Sequence, residues 1–425
     1  MPKHYTTFIG KTVKRIATLR GGGGSALPGL VIERIDKKYV PTILGQLPKG
    51  VVVVSGTNGK TTTTKMVVEL LESQGLKVFT NKTGSNFVRG IAAALVSEVD
   101  LRGRLKADIA VLELDEAHGV QFVKYVKPRY TLLLNVMRDQ LDRFGEIDTT
   151  ANMLQEIAQA TTEKVVVNRE DPRLCTIGES LPKNKRVYFG LSDPLRSIFL
   201  NDDSMRTGTT TKLRQNLPVA NGTLTDVQDN TVHFTLGGKK YTSTLQLDGV
   251  YNAYNAIAAL TLVETLCGEF MDHKALLKSL SAVTPAFGRG EKIIVNNTPL
   301  ELVLVKNPGG FRLGLSSFPA SGYSTMIAIN DNYADGRDMS WLWDVDFHSL
   351  RGSGVDMISG IRAYDMAVRL QYDEVEIDTI EPNLTQALAQ FISSSTQPKR
   401  IYCTYTAMLA LRRELNKITK VEKIL

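Results

Sequence analysis

The sequence predicts an α/β protein: a central parallel sheet covered by helices, a β-rich insertion, and a second, Rossmann-like α/β unit towards the C-terminal end. Three observations carry this expectation. Between residues 51 and 168, short β-branched runs alternate with segments of helical period, the pattern of βα units whose strands are buried on both faces. One such run, Val51–Ser55, leads through a glycine turn straight into a helical stretch. The alternation lapses over 183–250 and restarts from about residue 298.

Taken in order, Val51–Ser55 reads as a buried strand, and Thr61–Ser73 as a helix with Met66, Val67, Leu70 and Leu71 on one face, stopped by Gly75. Strand Lys77–Asn81, a helix around Ile91–Val99, strand Ala107–Leu114 and a short helix before Pro128 follow. Tyr130–Val136 and Lys164–Asn168 add two strands with the helix Asn152–Ala160 between them. Ligands are expected at the carboxyl ends of such strands. Over 183–250, Gly, Thr and Asn clusters separate alternating segments such as Thr231–Leu236 and Lys239–Leu247, which reads as a β-rich insertion or subdomain. After the helix Tyr254–Leu266, strands are expected at Glu301–Val305, Thr325–Asn330, Val355–Ser359 and Arg400–Thr404. The expected units are a basic segment at 1–48, a central domain at 49–294 and a C-terminal domain at 295–425.

Composition narrows the function classes. With 425 residues, 43% of them hydrophobic and 22% charged, the chain suits two or three folded domains. Residues 1–49 hold nine Lys/Arg against Glu33 and Asp36, which accounts for the whole formal net charge of +7. The remainder is neutral, so a general nucleic-acid surface is not expected. Phe8, Ile9, Val13 and Ile16 recur at helical spacing beside Lys11, Lys14 and Arg15, as in a helix packed on the first domain or one lying at an anionic membrane. After it, Gly21–Gly24 reads as a flexible break. No apolar run reaches the roughly 20 residues a membrane span needs, and the N-terminus lacks the form of a secretory signal. A cytoplasmic protein is expected, with the inner membrane face open to it. Cys175, Cys267 and Cys403 and the five histidines are dispersed, so neither a disulfide framework nor a zinc site is expected.

The strongest local signal is Val51-Val-Val-Val-Ser-Gly-Thr-Asn-Gly-Lys-Thr-Thr. Gly56, Thr57, Asn58 and Gly59 can bring backbone N–H groups to phosphate oxygens. Lys60 can neutralise the β/γ-phosphates, Thr61 can hold Mg²⁺ through its hydroxyl, and Thr62 continues the helix whose N-terminus favours anions. The glycines stand two residues closer than in the usual phosphate loop, and Val54 replaces its first glycine. A nucleotide-bound Mg²⁺ also takes one or two carboxylates. Glu113 ends a strand in Ile-Ala-Val-Leu-Glu-Leu-Asp-Glu; Asp115 and Glu116 are alternatives, and such acids also simply solubilise loops.

Ser55–Thr63, the run Asn135-Val-Met-Arg-Asp-Gln-Leu-Asp-Arg-Phe-Gly and the run Leu247-Asp-Gly-Val-Tyr-Asn-Ala-Tyr-Asn-Ala resemble the Mur ligase superfamily, which includes folylpolyglutamate synthase. The resemblance implies the Mur-ligase-like fold, ATP on the glycine loop, an adenine contact from Asn255, and Mg²⁺ on Glu113. Leu304-Val-Lys-Asn-Pro-Gly-Gly-Phe and the stretch Ile329–Phe347 narrow it to the MurT family, ligase subunits that work with a GatD-like glutaminase to amidate the D-glutamate of lipid II to D-isoglutamine. Gln140 stands where many Mur ligases have histidine. Residues 183–250 contain no cysteine, so the four-cysteine zinc ribbon of some MurT proteins is not expected.

The implied chemistry is ATP-dependent formation of an acyl phosphate from a carboxylate, then attack by ammonia. Lys60, Mg²⁺ and Arg289, in Phe-Gly-Arg-Gly-Glu, are the expected stabilisers of the transferred phosphoryl group; Arg289 as a plain surface residue is the alternative. Glutamine hydrolysis needs an activated thiolate, and none of the three cysteines sits on a sharp turn beside a histidine. A partner is therefore expected to supply the ammonia, and the resemblance gives Asp338 as the acid completing that partner's Cys–His pair. Asp331, Asp335 and Asp338 as turn caps remain the alternative. An amino-acid-adding Mur or folylpolyglutamate-type ligase, and a nucleotide-binding switch without ligase chemistry, are the rival readings.

Overall fold

A computed structural model describes residues 3–19, 27–81, 88–138, 147–196, 216–285 and 288–421. The Gly21–Gly24 tract, Asp139, Gln140, Asp142 and Arg143 of the Asn135–Gly145 run, and Phe287 lie outside the described residues. Three helices, α1 (Lys3–Leu19), α2 (Leu27–Ile35) and α3 (Tyr39–Leu44), precede two sheets.

The first sheet has nine strands in the order β2-β3-β1-β4-β5-β6-β7-β8-β9. Its strands are β1 (Val51–Ser55), β2 (Val78–Thr80), β3 (Ile109–Glu113), β4 (Tyr130–Leu133), β5 (Lys164–Asn168), β6 (Arg186–Leu191), β7 (Gly222–Gln228), β8 (Thr231–Leu236) and β9 (Lys239–Thr244). The four valines of β1 explain why this strand is interior. Val52 and Val54 join Met66, Val67, Leu70 and Leu71 of α4 (Lys60–Ser73) in one core, while Val51 and Val53 join Ile43, Ile91 and Leu95 in another across the sheet. Each buried valine contributes about 1.5–3 kcal/mol. The chain leaves β1, crosses β3's place to reach β2, returns as β3, and continues as β4 on β1's other side, so strand order reverses at β1. Ligands bind at such a reversal.

The β-rich stretch is not set apart as a subdomain. β6 is buried and pairs in parallel with β5, β7 pairs in parallel with β6, and β8 and β9 extend that edge as antiparallel hairpin strands. Backbone hydrogen bonding thus carries the central sheet through residues that compositionally resemble an insertion. The helix Val250–Cys267, buried along Ala256–Val263, packs against α4 and β5–β8.

The second sheet runs β10-β11-β15-β12-β13-β14, formed by β10 (Arg289–Val295), β11 (Thr298–Leu304), β12 (Ser324–Ala328), β13 (Val355–Ser359), β14 (Ile377–Ile380) and β15 (Lys399–Cys403). All are parallel except β10, which folds back on β11 through Asn296 and Asn297, at φ 50° and 62°. That two-residue turn suits asparagine's tolerance of left-handed backbone. The second sheet therefore begins at Arg289, earlier than the expected boundary at 295.

Candidate active site

The loop after β1 is built by backbone geometry. Gly56 and Gly59 lie at φ 132° and 85°, which an L side chain rarely adopts. A Cβ on Gly56 would come within 2.9 Å of the Asn135 backbone, and one on Gly59 within 2.7 Å of Asn255 Oδ1. Asn135 braces the turn reciprocally: its Oδ1 accepts from Asn58 N–H at 2.8 Å, and its Nδ2 donates to Asn58 O at 2.9 Å. Lys60 is buried, and its ammonium donates to the carbonyls of Gly56 and, at 3.1 Å, Thr57. An ammonium held on the loop's own carbonyls stays where phosphate oxygens would meet it.

Register separates the acids that the sequence leaves open. Val54 of β1 is paired with Glu113 of β3, so Glu113 ends beside the loop, and Thr61 Oγ1 donates to its Oε1 at 2.9 Å. Asn81 fixes the backbone there, accepting Glu113 N–H at 3.0 Å and donating to its carbonyl at 2.8 Å. Asp115 instead caps α6 (Glu116–Val123), taking hydrogen bonds from His118 N–H and, at 2.6 Å, its Nδ1. Burial pushes the Asp115 carboxyl up, yet those bonds and the imidazole hold it below its ordinary value. Glu116 accepts from Thr57 Oγ1 at 3.4 Å.

Arg289 is no surface arginine. From the first residue of β10 its Nη2 donates to Thr61 Oγ1 at 3.1 Å. Burial disfavours its charge, and the Glu113 carboxylate supports it. Its Nε is buried without a hydrogen-bond partner among the described residues. A buried guanidinium N–H lacking an acceptor, beside a glycine cradle that any Cβ would fill, fits a polyphosphate. The Thr61 hydroxyl and Glu113 carboxylate offer the hard oxygen donors that Mg²⁺ takes.

The cleft continues from the loop in two directions. One arm, open to solvent, is lined by Asn168, Phe189, Tyr251, Tyr254 and Asn255. Tyr254 OH donates to Asn168 Oδ1 at 2.5 Å, and the rings of Phe189 and Tyr254 lie 5.2 Å apart and inclined at 55°, giving an angled aromatic wall with polar edges. The other arm runs under the second sheet, past Arg289, Lys306, Gly310 and Phe318. There Asn307 caps the helix Pro308–Ser317, accepting from Gly310 N–H at 2.6 Å, while its Nδ2 reaches Asn58 Oδ1 at 3.5 Å.

Lys60, Thr61, Glu113, Asn255 and Arg289 therefore converge, and Thr62 lines the second arm. The sequence reading missed Asn168, Tyr254 and Asn307 as cleft residues, and the bracing role of Asn135. Asn135 and Asn307 stand in the quoted motifs; Asn168, at the carboxyl end of a strand flanking β4, carried only a positional signal.

Asp338 is not in this cleft. It lies on the loop after β12 and accepts from Ser340 N–H at 2.9 Å; its hydrogen bonds with Ser340 hold its carboxyl below the usual range. Its neighbours are otherwise employed. Asp331 pairs with Arg362 at 2.7 Å, and buried Asp335 accepts from Thr406 N–H at 2.7 Å. The two tryptophans divide: Trp341 is core, edge-on to Phe311 at 6.4 Å, so only Trp343 is available to an interface. Trp343 meets Tyr372 edge-on at 5.0 Å, and Tyr364, Val368 and Tyr372 form an exposed stripe along the helix Ala363–Tyr372, with exposed Ile361 in the turn before it. Cys175 and Cys403 are buried and Cys267 half-buried; burial pushes the Cys267 and Cys403 thiols up, away from thiolate chemistry.

Residues 54–263 match the Mur ligase middle domain and residues 304–408 the MurT ligase C-terminal domain. The chain is 32% identical to the lipid II isoglutaminyl synthase (glutamine-hydrolyzing) subunit MurT of Streptococcus pneumoniae, over 93% of each chain. Its fold resembles a pseudomurein peptide ligase type C from Methanothermus fervidus, with TM-score 0.67 and 18% identity over 90% of this chain and 81% of that one. It also resembles MurF ligase from Thermotoga maritima in complex with ADP, with TM-score 0.62 and 17% identity over 90% and 84%. The chain belongs to the MurT family of ATP-dependent ligase subunits.

Proposed function

We propose that this chain is the ligase half of a two-component amidation acting on the D-glutamate carboxylate of lipid II and yielding D-isoglutamine. The observation that carries the ligase reading is the Thr61–Glu113–Arg289 cluster, in which the phosphate loop of one sheet meets an arginine from the other. The substrate follows from the name of the pneumococcal relative.

The loop N–H groups and Lys60 bind the β- and γ-phosphates of ATP, and the Asn168–Tyr254 wall takes the base. Thr61 and Glu113 would hold Mg²⁺, whose charge would neutralise the phosphate oxygens. Arg289 offers its free N–H to the γ-phosphoryl group as negative charge spreads over its oxygens. A carboxylate oxygen of the substrate bonds to the γ-phosphorus as the bond to the bridging oxygen breaks, and ADP leaves. Ammonia then adds to the acyl carbon, inorganic phosphate departs with the C–O electron pair, and loss of a proton leaves the amide.

The ammonia comes from a GatD-like glutaminase, because no cysteine of this chain is set up as a nucleophile. Asp338 orients the partner's catalytic histidine, as a carboxylate does when it stabilises an imidazolium. The partner covers the Trp343–Tyr372 stripe; aromatic side chains of this kind anchor interfaces.

The test uses the reconstituted pair with lipid II labelled with ¹⁸O in the D-glutamate carboxylate. Label appearing in inorganic phosphate, together with an amidated product, is expected. Unlabelled phosphate would overturn the acyl phosphate, and a product carrying an added amino acid would favour the amino-acid-adding ligase.

A further inference from the structure

Helix α1 is docked with its small face inward and its large apolar side chains outward. Thr6, Thr7 and Gly10 are buried. Thr6 Oγ1 donates to Asp36 Oδ2 at 3.0 Å, and Thr7 Oγ1 shares a 3.0 Å hydrogen bond with Tyr39 OH. A Cβ on Gly10 would stand 2.8 Å from Ile32 Cδ1 and 2.9 Å from Val96 Cγ2, so glycine is what lets α1 lie this close to α2 and α5 (Val88–Glu98). Lys14 Nζ donates to Ser97 Oγ at 2.7 Å on the same side. The rotation of the helix is thereby fixed.

The face left outside carries Tyr5, Phe8, Ile16 and Leu19, exposed at 57%, 62%, 47% and 80%. At about 100° per residue these four fall within an arc of about 80°, with exposed Arg15 at its margin and Lys11 beyond it. A helix whose role is to pack on a core would present these residues inward. We propose that this outward face seats α1 in the headgroup region of an anionic lipid bilayer. Charge decides the occupant: α1 contains no acidic residue, and residues 1–49 hold the entire positive excess of a chain otherwise neutral. Apolar side chains flanked by cations are what binds an anionic interface, whereas a second copy of this cationic face would be repelled. The inference rests on α1 alone and stands whether or not the amidation reading does. Among the described residues no helix is long and apolar enough to cross a membrane, so attachment here is peripheral.

Sedimentation of the full chain, without substrate or nucleotide, with vesicles of phosphatidylglycerol and phosphatidylcholine in equal parts tests this. The chain is expected to pellet with them at low ionic strength, and roughly tenfold less with pure phosphatidylcholine or at high salt. Phe8→Ser with Ile16→Ser, and separately Arg15→Glu, are expected to weaken pelleting roughly tenfold without changing the melting temperature. A wild-type chain that stays in the supernatant overturns the proposal, as does a Phe8/Ile16 variant that pellets undiminished. A concentration-dependent dimer that the same variant dissociates, with no vesicle binding, would assign the face to a second copy instead.

Discussion

The loop after β1 and the loop after β12 occupy matching places, each beyond the carboxyl end of an interior parallel strand, yet they are finished in opposite ways. The first closes on itself: Lys60 bonds back to Gly56 and Thr57, Asn135 ties Asn58 at both ends of its amide, and the side chains from Thr57 to Lys60 are buried or nearly so. The second is tied to its surroundings, through Asp331 to Arg362, Asp335 to Thr406 and Trp341 into the core, and turns Tyr333 and Trp343 to solvent. A loop satisfied within its own chain is a site awaiting a small ligand. A loop anchored below, with aromatic side chains turned outward, suits the partner contact proposed above.

The sharpest way to break this contrast is at Lys60. Lys60→Ala is expected to cut ATP turnover by about 10³-fold while far-ultraviolet circular dichroism stays unchanged, since the side chain serves the ligand more than the fold. A loss below tenfold would mean that the first loop is not the phosphate site.

Next in size is the tie under the second loop. Asp373 accepts from Phe347 N–H at 2.7 Å and pairs with Arg369 at 2.7 Å. Asp373→Asn leaves the buried guanidinium unpaired and should cost about 3 kcal/mol in denaturant unfolding. Burial raises the Asp373 carboxyl, but the hydrogen bonds and charge of Arg369 and the Phe347 N–H more than reverse it. A depressed carboxylate stabilises the fold above its ordinary range. That contribution should therefore be lost as pH falls below about 4, and the variant should show a shallower acid limb.

Asp338→Asn is expected to lower glutamine-dependent amidation by roughly 10²-fold while amidation from added ammonium salts persists. Equal loss from both nitrogen sources would return Asp338 to a structural role. The smallest effect is expected at the stripe: Tyr364→Ser or Tyr372→Ser should weaken partner binding, read by calorimetry, by about tenfold with no change in melting temperature.

Legibility in the sequence followed the same division. The glycine turn and the acids after β3 can be read from a single strand–loop–helix run, because their chemistry is local. Glu113 is singled out from Asp115 and Glu116 by the family resemblance, not by local chemistry; its place beside the loop shows only in the pairing with Val54. Asn168 and Tyr254 meet across 86 positions and Arg289 and Thr61 across 228, separations that carry no periodic signal. β10 escaped because it is an edge strand with alternating exposure and a charged start, and β14 because it is short and mostly exposed. In the second loop the tryptophans read alike by composition, and only packing distinguishes Trp341 from Trp343.

Arg289 begins β10, and β10 begins the second sheet, so one guanidinium binds the hydroxyl of the first sheet's loop from across the molecule. Thermodynamic reciprocity follows from that single reach. Whatever factor the docked position of the second sheet adds to nucleotide affinity, nucleotide must return as the same factor in favour of docking. A second ligand that also favours the docked position would then bind more tightly in the presence of nucleotide, by the factor with which it strengthens nucleotide binding in return.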